Sequence, residues 1–204
     1  MFTGIIETTG TVESVEQIGT NLSFWIASPV SSELKIDQSV SHDGVCLTVE
    51  AVAENRHRVT AIEETLNKTN LRNWKQNTKI NIERCMQLNA RLDGHMVQGH
   101  VDAMAFCIAS EEKQGSWEYR FQVPSECLHL IIEKGSVCIN GISLTAFDLK
   151  FNSFKIAIIP YTYHHTNVNA LKNGSMVNIE FDVIGKYLAR FREVFQQTTH
   201  KYQV

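Results

Sequence analysis

A chain of 204 residues that is 43% hydrophobic and 20% charged has the composition of an ordinary globular protein. Its net charge of −3 and the lack of any basic run exclude a nucleic-acid partner, because neutralising a phosphate backbone takes clustered Lys and Arg. No apolar stretch approaches the roughly 20 residues that span a bilayer, and the opening MFTGIIETTG has neither a basic region nor a cleavable apolar core; no membrane partner and a cytoplasmic location are expected.

Read in order, the first half holds six short β-rich runs, at 10–15, 22–27, 38–42, 47–52, 58–62 and 79–84. LSFWIA and HRVTAI alternate so that every second side chain can face a core. SSELKI and NKTNLRNWK read as short helical or turn segments, and 87–93 as a linker. The second half then repeats the first. DGVCLTV at 43–49 returns as NGISLTA at 140–146, ETLNKTNL at 64–71 as YTYHHTNV at 161–168, and KINIE at 79–83 as MVNIE at 176–180, all offset by 97. MFTGIIE and MVQGHVD, with Gly4 and Gly99, share an offset of 95, as do LSFWIASP and YRFQVP. Two extra residues therefore lie between Pro124 and Ser136, in a connection that tolerates them.

Spaced motifs at a common offset mean duplication of a whole domain. The expected architecture is all-β, with two tandem six-stranded antiparallel Greek-key barrels and a C-terminal α-helix. The expected units are 1–94, 95–185 and a terminal segment 186–204. In 185–197 the apolar residues Tyr187, Leu188, Phe191, Val194 and Phe195 fall on one helical stripe, which must be covered by its own barrel or by neighbouring subunits. Two copies of one pocket suit a reaction between two similar molecules.

Cys46, Cys85, Cys107, Cys127 and Cys138 are odd in number and lack a C-x-x-C pair, so free thiols are expected. His95 with His100, or His164 with His165, lack a third convergent ligand, and no metal is expected. Gly44 and Gly141 read as turn glycines needing positive φ. Glu83 and Glu180, closing equivalent strands, read as structural.

Taken together, MFTGIIE, DGVCLTV, ETLNKTNL, RLDGHMVQGHVD, NGISLTA, IIPYTYHHTN and VNIEFDVIGKYLAR resemble the riboflavin synthase family across 1–190. The resemblance implies a dismutation in which one 6,7-dimethyl-8-ribityllumazine passes a four-carbon unit to another. The products are riboflavin and a ribitylamino-pyrimidine. No cofactor is implied, since the oxidised and reduced halves come from the same substrate. It further implies a homotrimer with the productive site between barrels of two subunits, and it leaves lumazine synthase open as a protein partner.

Carried over by position, the first pocket comprises Cys46, Leu47 and Thr48 with Thr60, Ala61, Ile62, Glu63, Glu64 and Thr65. Gly99, His100 and Val101 complete it. The second comprises Ser143, Leu144 and Thr145 with Ala157, Ile158, Ile159, Pro160, Tyr161 and Thr162. Gly4, Ile5 and Ile6 complete that one, and Lys134 joins it. Residues matching Phe2, Ser39, Cys46, His100 and Asp182 are those the family places near the chemistry, with His100 the natural base or proton shuttle. Non-catalytic lumazine- or flavin-binding relatives are the rival reading. In those one barrel's pocket decays, whereas here both copies keep Leu-Thr (Leu47–Thr48, Leu144–Thr145) and a Thr-x-x-x-Thr-Asn run.

Overall fold

The computed structural model describes residues 1–201, with side chains through Thr198; residues 202–204 of the expected C-terminal segment lie outside the described residues. The first copy contains β1 (Thr8–Ile18), β2 (Asn21–Ala27), β3 (Ser39–His42), β4 (Val45–Ala53), β5 (Arg56–Ala61) and β6 (Lys79–Arg84). All neighbours are antiparallel, and the order β1-β2-β5-β4-β3-β6 closes into a barrel. Alternation places Phe24 and Ile26 of β2 and Val59 and Ala61 of β5 inside. Trp25 stays outside beneath the Arg56 guanidinium, 4.9 Å from its ring centroid.

The second copy contains β7 (Ala103–Lys113), β8 (Ser116–Gln122), β9 (Ser136–Ile139), β10 (Ile142–Thr145), β11 (Phe147–Lys150), β12 (Ser153–Ile158) and β13 (Met176–Phe181). Here six expected strands become seven, in the order β10-β9-β13-β7-β8-β12-β11. The two edge strands are joined through the single residue Ala146, so the sheet must curl round until its edges meet. The cause is local. In the first copy β4 is continuous but slips register between Val49 and Ala51. At the matching place in the second copy Asp148 adopts φ +49°, and its N–H and that of Leu149 turn to the Glu133 carboxylate at 3.3 and 3.4 Å. A bulge in one copy has become a break in the other. The two inserted residues lengthen a 3-10 turn, Ser125–Leu130 against Ser31–Glu33.

Between the last two strands of each copy lie short helices, α1 (Glu63–Lys68) and α2 (Pro160–His165). The expected run 58–62 thus ends one residue early, at Ala61, and of the expected pocket residues Ile62 caps α1 while Glu63, Glu64 and Thr65 lie within it. The Thr-x-x-x-Thr-Asn run has a structural cause. Thr69 and Thr166 each donate to the carbonyl four residues back, at 2.7 and 2.8 Å, and each accepts the N–H two residues on. The terminal helix α3 (Val183–Lys201) starts two residues earlier than expected, capped by Asp182 Oδ1, which accepts from Ile184 N at 2.9 Å. Its apolar stripe is left uncovered, with Tyr187 75% and Phe191 71% exposed. Among the described residues no helix is long and apolar enough to cross a membrane.

The two copies meet around an approximate twofold axis, and each contact across it recurs with the copies exchanged. Phe2 and Val97 exchange backbone hydrogen bonds of 2.7 and 3.1 Å. Asn70 N donates to Asn178 Oδ1, and Asn167 N to Asn81 Oδ1, both at 2.8 Å. Asn81 Nδ2 reaches Asn140 O and Asn178 Nδ2 reaches Asp43 O, both at 2.9 Å. Gly44 and Gly141, at φ +79° and +81°, let the two turns touch on the axis.

The cores differ at one point. Inside the first barrel His42 Nε2 lies 2.8 Å from His57 Nε2, His57 Nδ1 lies 2.8 Å from Ser31 Oγ, and His42 Nδ1 lies 3.0 Å from Val40 O. The carbonyl of Val40 must accept, so His42 carries its proton on Nδ1. His57 then donates from Nε2, and Ser31 donates to its Nδ1. Both imidazoles are fully buried and neutral: burial draws His57 down to about 4 and His42 well below the usual range, with His57 adding to the latter. The matching residues of the second copy are Ile139 and Phe154, both apolar.

A folded value below the unfolded one near 6.5 means that the unfolded chain binds the extra protons. The histidine contribution to stability is thus present above pH ~6.5 and is lost as pH falls toward about 4. Burial raises Asp43 to about 7, which acts with the opposite sign, so a difference between variants is the readable quantity. Relative to the chain carrying His42→Ile and His57→Phe, the wild type should lose roughly 3 kcal/mol between pH 7 and pH 4. Parallel urea-unfolding profiles for the two proteins across that range would refute the neutral ladder.

Candidate functional site

Each pocket strand is completed by the other copy. The N-terminal arm crosses to the second barrel, where Gly4 O accepts from Ser143 N at 2.7 Å. The arm around residue 99 crosses to the first, where Gly99 O accepts from Cys46 N at 2.9 Å. A buried carboxylate clamps each arm. Glu83 accepts from Thr3 N at 2.6 Å and Gly4 N at 3.0 Å, and Glu180 from Gln98 N, Gly99 N and His100 N at 2.7, 2.9 and 3.0 Å. Burial raises both carboxyls, and these N–H donors oppose it. The structural reading of both glutamates thus acquires a cause, since each fixes the height of an arm over its neighbour's strand.

Gly4 and Gly99 are required by geometry. They sit at φ +76° and +80°, and a Cβ at either would stand 2.6 Å from the Cβ of Ser143 or Cys46. Phe2 is fully buried where the arms cross, packed with Val97, Cys138 and Cys46. It supports the site from beneath.

On the first barrel, Cys46, Leu47 and Thr48 lie on β4, with Ser39 opposite Thr48 on β3. Burial pushes the Cys46 thiol up, against the hydrogen bond to Ser39, so it stays protonated. Ala61 is buried in the barrel core and Val101 packs against that core. Thr60 Oγ1 donates to Glu50 at 2.9 Å, while Ile62, Glu63 and Glu64 are exposed at the start of α1 and Thr65 is half-buried. His100 is exposed, its backbone N–H held by Glu180.

On the second barrel the structure brings together Lys134, Ser143, Leu144, Thr145, Ala157, Ile158, Ile159 and Thr162 around a cavity of about 390 Å³. Pro160 opens α2. Tyr161 stacks on His165 at 4.1 Å and faces a separate groove beside Ile6 and Thr8. Ile5 is exposed, and Ile6 packs on the second core.

Sequence reasoning missed two residues here. Phe147 lines the cavity but has no counterpart, since Glu50 occupies its place in the first copy. His95, weighed only as a metal ligand, is 7% exposed, with Nδ1 2.6 Å from Ser143 Oγ and Nε2 unpartnered among the described residues. Burial lowers its pKa, opposed by the Asp182 carboxylate, which leaves the imidazole neutral and able to accept a proton. Asp182 is otherwise committed to capping α3.

Ala at Gly4 or Gly99 should displace an arm and cut pocket function at least about tenfold, beyond the roughly 1–2 kcal/mol of left-handed strain alone. Gly19, at φ +63° with nothing within 4 Å of where a Cβ would stand, is the control: Gly19→Ala bears the strain without the collision. Equal losses in ligand affinity for all three variants would contradict the arm account.

Comparison with known proteins agrees with this geometry. A lumazine binding domain matches twice, at 3–85 and 98–182. Riboflavin synthase of Bacillus amyloliquefaciens is 38% identical over 199 residues, 97% of this chain and 93% of that protein. Riboflavin synthase of Bacillus subtilis is 38% identical over 94% of this chain and 89% of its own length. Crystal structures of LumP complexed with riboflavin and with 6,7-dimethyl-8-(1'-D-ribityl) lumazine superpose with TM-scores of 0.84 and 0.81, at 20% identity. Each covers 89% of this chain and 99% of the other, a likeness of fold. With two matched domains, arms exchanged between them and full-length relatives at this identity, the chain belongs to the riboflavin synthase family.

Proposed function

We propose that the protein is a riboflavin synthase, converting two molecules of 6,7-dimethyl-8-ribityllumazine into riboflavin and 5-amino-6-(ribitylamino)uracil without a cofactor. The observation that carries this is the duplicated pocket strand, with Gly4 on Ser143 and Gly99 on Cys46 in matching backbone pairs. Two like sites hold two like molecules, and orienting both turns a bimolecular encounter into a local one. The non-catalytic alternative is represented by structures that share the fold at 20% identity, whereas the full-length relatives at 38% are riboflavin synthases.

In this reading units 1–94 and 95–185 each bind one lumazine. Cys46, Leu47, Thr48, Thr60, Gly99 and His100 offer polar and backbone groups to the first ring, and Lys134, Ser143, Leu144, Thr145, Ile159 and Thr162 to the second. Ser143, hydrogen-bonded to neutral His95, is suited to move a proton, and His100, exposed beside the first pocket, is suited to exchange one with solvent. Cys46 enters as a thiol donor, with Ser39 beside it. Phe2 and Asp182 act through position, the first under the arms and the second at the start of α3.

The uncovered stripe on α3, with Ile132 and Ile184 beside it, supports a homotrimer in which the first barrel of one subunit faces the second barrel of another. A cytoplasmic setting and an association with lumazine synthase complete the reading. In a metal-free assay the full chain should convert the lumazine to riboflavin. A chain ending before Lys186 should retain both folded barrels, lose the trimer by light scattering and lose at least ~90% of turnover. Absence of riboflavin with the full chain would sink the enzyme reading, and a fully active monomer would sink the shared site.

A further inference from the structure

At three matched positions the copies carry opposed chemistry. The second copy has Lys134, Phe147 and Ala157, all lining the 390 Å³ cavity. The first copy has Asp37, Glu50 and Thr60 in the same places. Lys134 Nζ stands 5.1 Å from the Phe147 ring centroid, within cation–π range, and it is the one charged side chain lining that cavity among the described residues. Glu50 instead accepts from Thr60 Oγ1 at 2.9 Å and pairs with Arg58 at 3.3 Å.

Lys134, at φ +64°, donates its N–H to Ala146 O at 2.8 Å, and Gly135 O accepts from Ala146 N at 2.9 Å, which fixes the ammonium's stem beside Phe147. The side chains and not the backbone make this difference, since Asp37 N–H to Val49 O and Val49 N–H to Gln38 O form the same pair in the first copy, with Asp37 also at positive φ. The other charges on the kink are engaged elsewhere. Glu133 holds the N–H groups of Asp148 and Leu149, Asp148 pairs with Arg120 and lies 3.8 Å from Lys155, and Lys155 pairs with Glu118 at 2.8 Å. A carboxylate at position 147, as in the first copy, would neutralise the ammonium. The phenyl ring leaves its charge available and seats it.

We propose that Lys134 and Phe147 make the second pocket the site of the deprotonated lumazine, and that the first pocket takes the neutral molecule. The assignment rests on the riboflavin synthase reading above. In the step, a C–H bond of the 7-methyl group breaks and its electron pair spreads into the ring beside the ammonium. The proton passes to Ser143 Oγ while the hydroxyl proton moves to Nδ1 of His95. An anion within ~4–6 Å of a fixed cation is stabilised against its neutral form, and the first copy, with Asp37 and Glu50 at the matching positions, supplies no such cation there. Lys134 is then a substrate-contacting residue, and Phe147 a positioning residue that acts through it.

The test mixes 6,7-dimethyl-8-ribityllumazine with the full chain in a stopped-flow spectrophotometer. Absorbance of the ring anion is recorded against pH before riboflavin accumulates. In the wild type one fraction of the bound ligand should ionise at least about one pH unit below the free compound. Lys134→Gln and Phe147→Glu should each abolish that fraction, and Glu50→Gln should retain it. Retention in Lys134→Gln, loss in Glu50→Gln, or no low-pH fraction in the wild type would each overturn the assignment. A wild type that neither binds the lumazine nor forms riboflavin would overturn the functional reading as well, and is told apart by the missing product.

Discussion

Everything in this molecule depends on one reciprocal contact: matched residues of the two copies bind each other where the chain crosses between barrels. Phe2 and Val97 exchange two backbone hydrogen bonds, and from that crossing each arm runs over the opposite barrel to meet Ser143 or Cys46. Buried backbone groups must find partners. Here the arm supplies the partner that the end of a pocket strand lacks, so neither barrel has a complete pocket edge alone. Glu83 and Glu180 reinforce the crossing, because moving an arm would leave a buried carboxylate without its donors. Folding of the two halves and formation of the two pockets are therefore one event.

Duplication supplies symmetry, and the chemistry follows from where symmetry lapses. The axis network keeps four asparagines in matched roles but sets Asp43 opposite Asn140, and burial holds Asp43 near about 7 so that it can resemble its amide partner. The first core carries His42 and His57 where the second carries Ile139 and Phe154. The cavity lining of the second copy departs furthest: Lys134, Phe147 and Ala157 stand where the first copy has Asp37, Glu50 and Thr60. A dismutation asks two identical molecules to do different things, and identical pockets could not tell them apart.

Much of this was legible in residue order because repetition exposes constraint. The common offset of 97 marked the strands and turns around Cys46 and Ser143, and Gly4 and Gly99 marked the arms, since a close backbone approach leaves a glycine behind. What repetition could not reveal was what occurs once. Phe147 has no twin, and the β10–β11 break depends on Glu133 reaching two N–H groups across the fold. The end of β5 at Ala61 was hidden because Ile62 to Thr65 reads equally well as strand or as helix start. His95 sits beside a linker in sequence, and only the arm crossing brings it to Ser143. Such contacts join residues far apart in the chain, beyond the reach of periodicity.

If each arm finishes the pocket of the opposite barrel, every chain holds two lumazine sites. Calorimetric titration with a ribityllumazine bearing a 7-oxo group in place of the 7-methyl, which cannot lose a proton there, tests it most directly. The account predicts two molecules bound per chain. Saturation at one molecule per chain would contradict it.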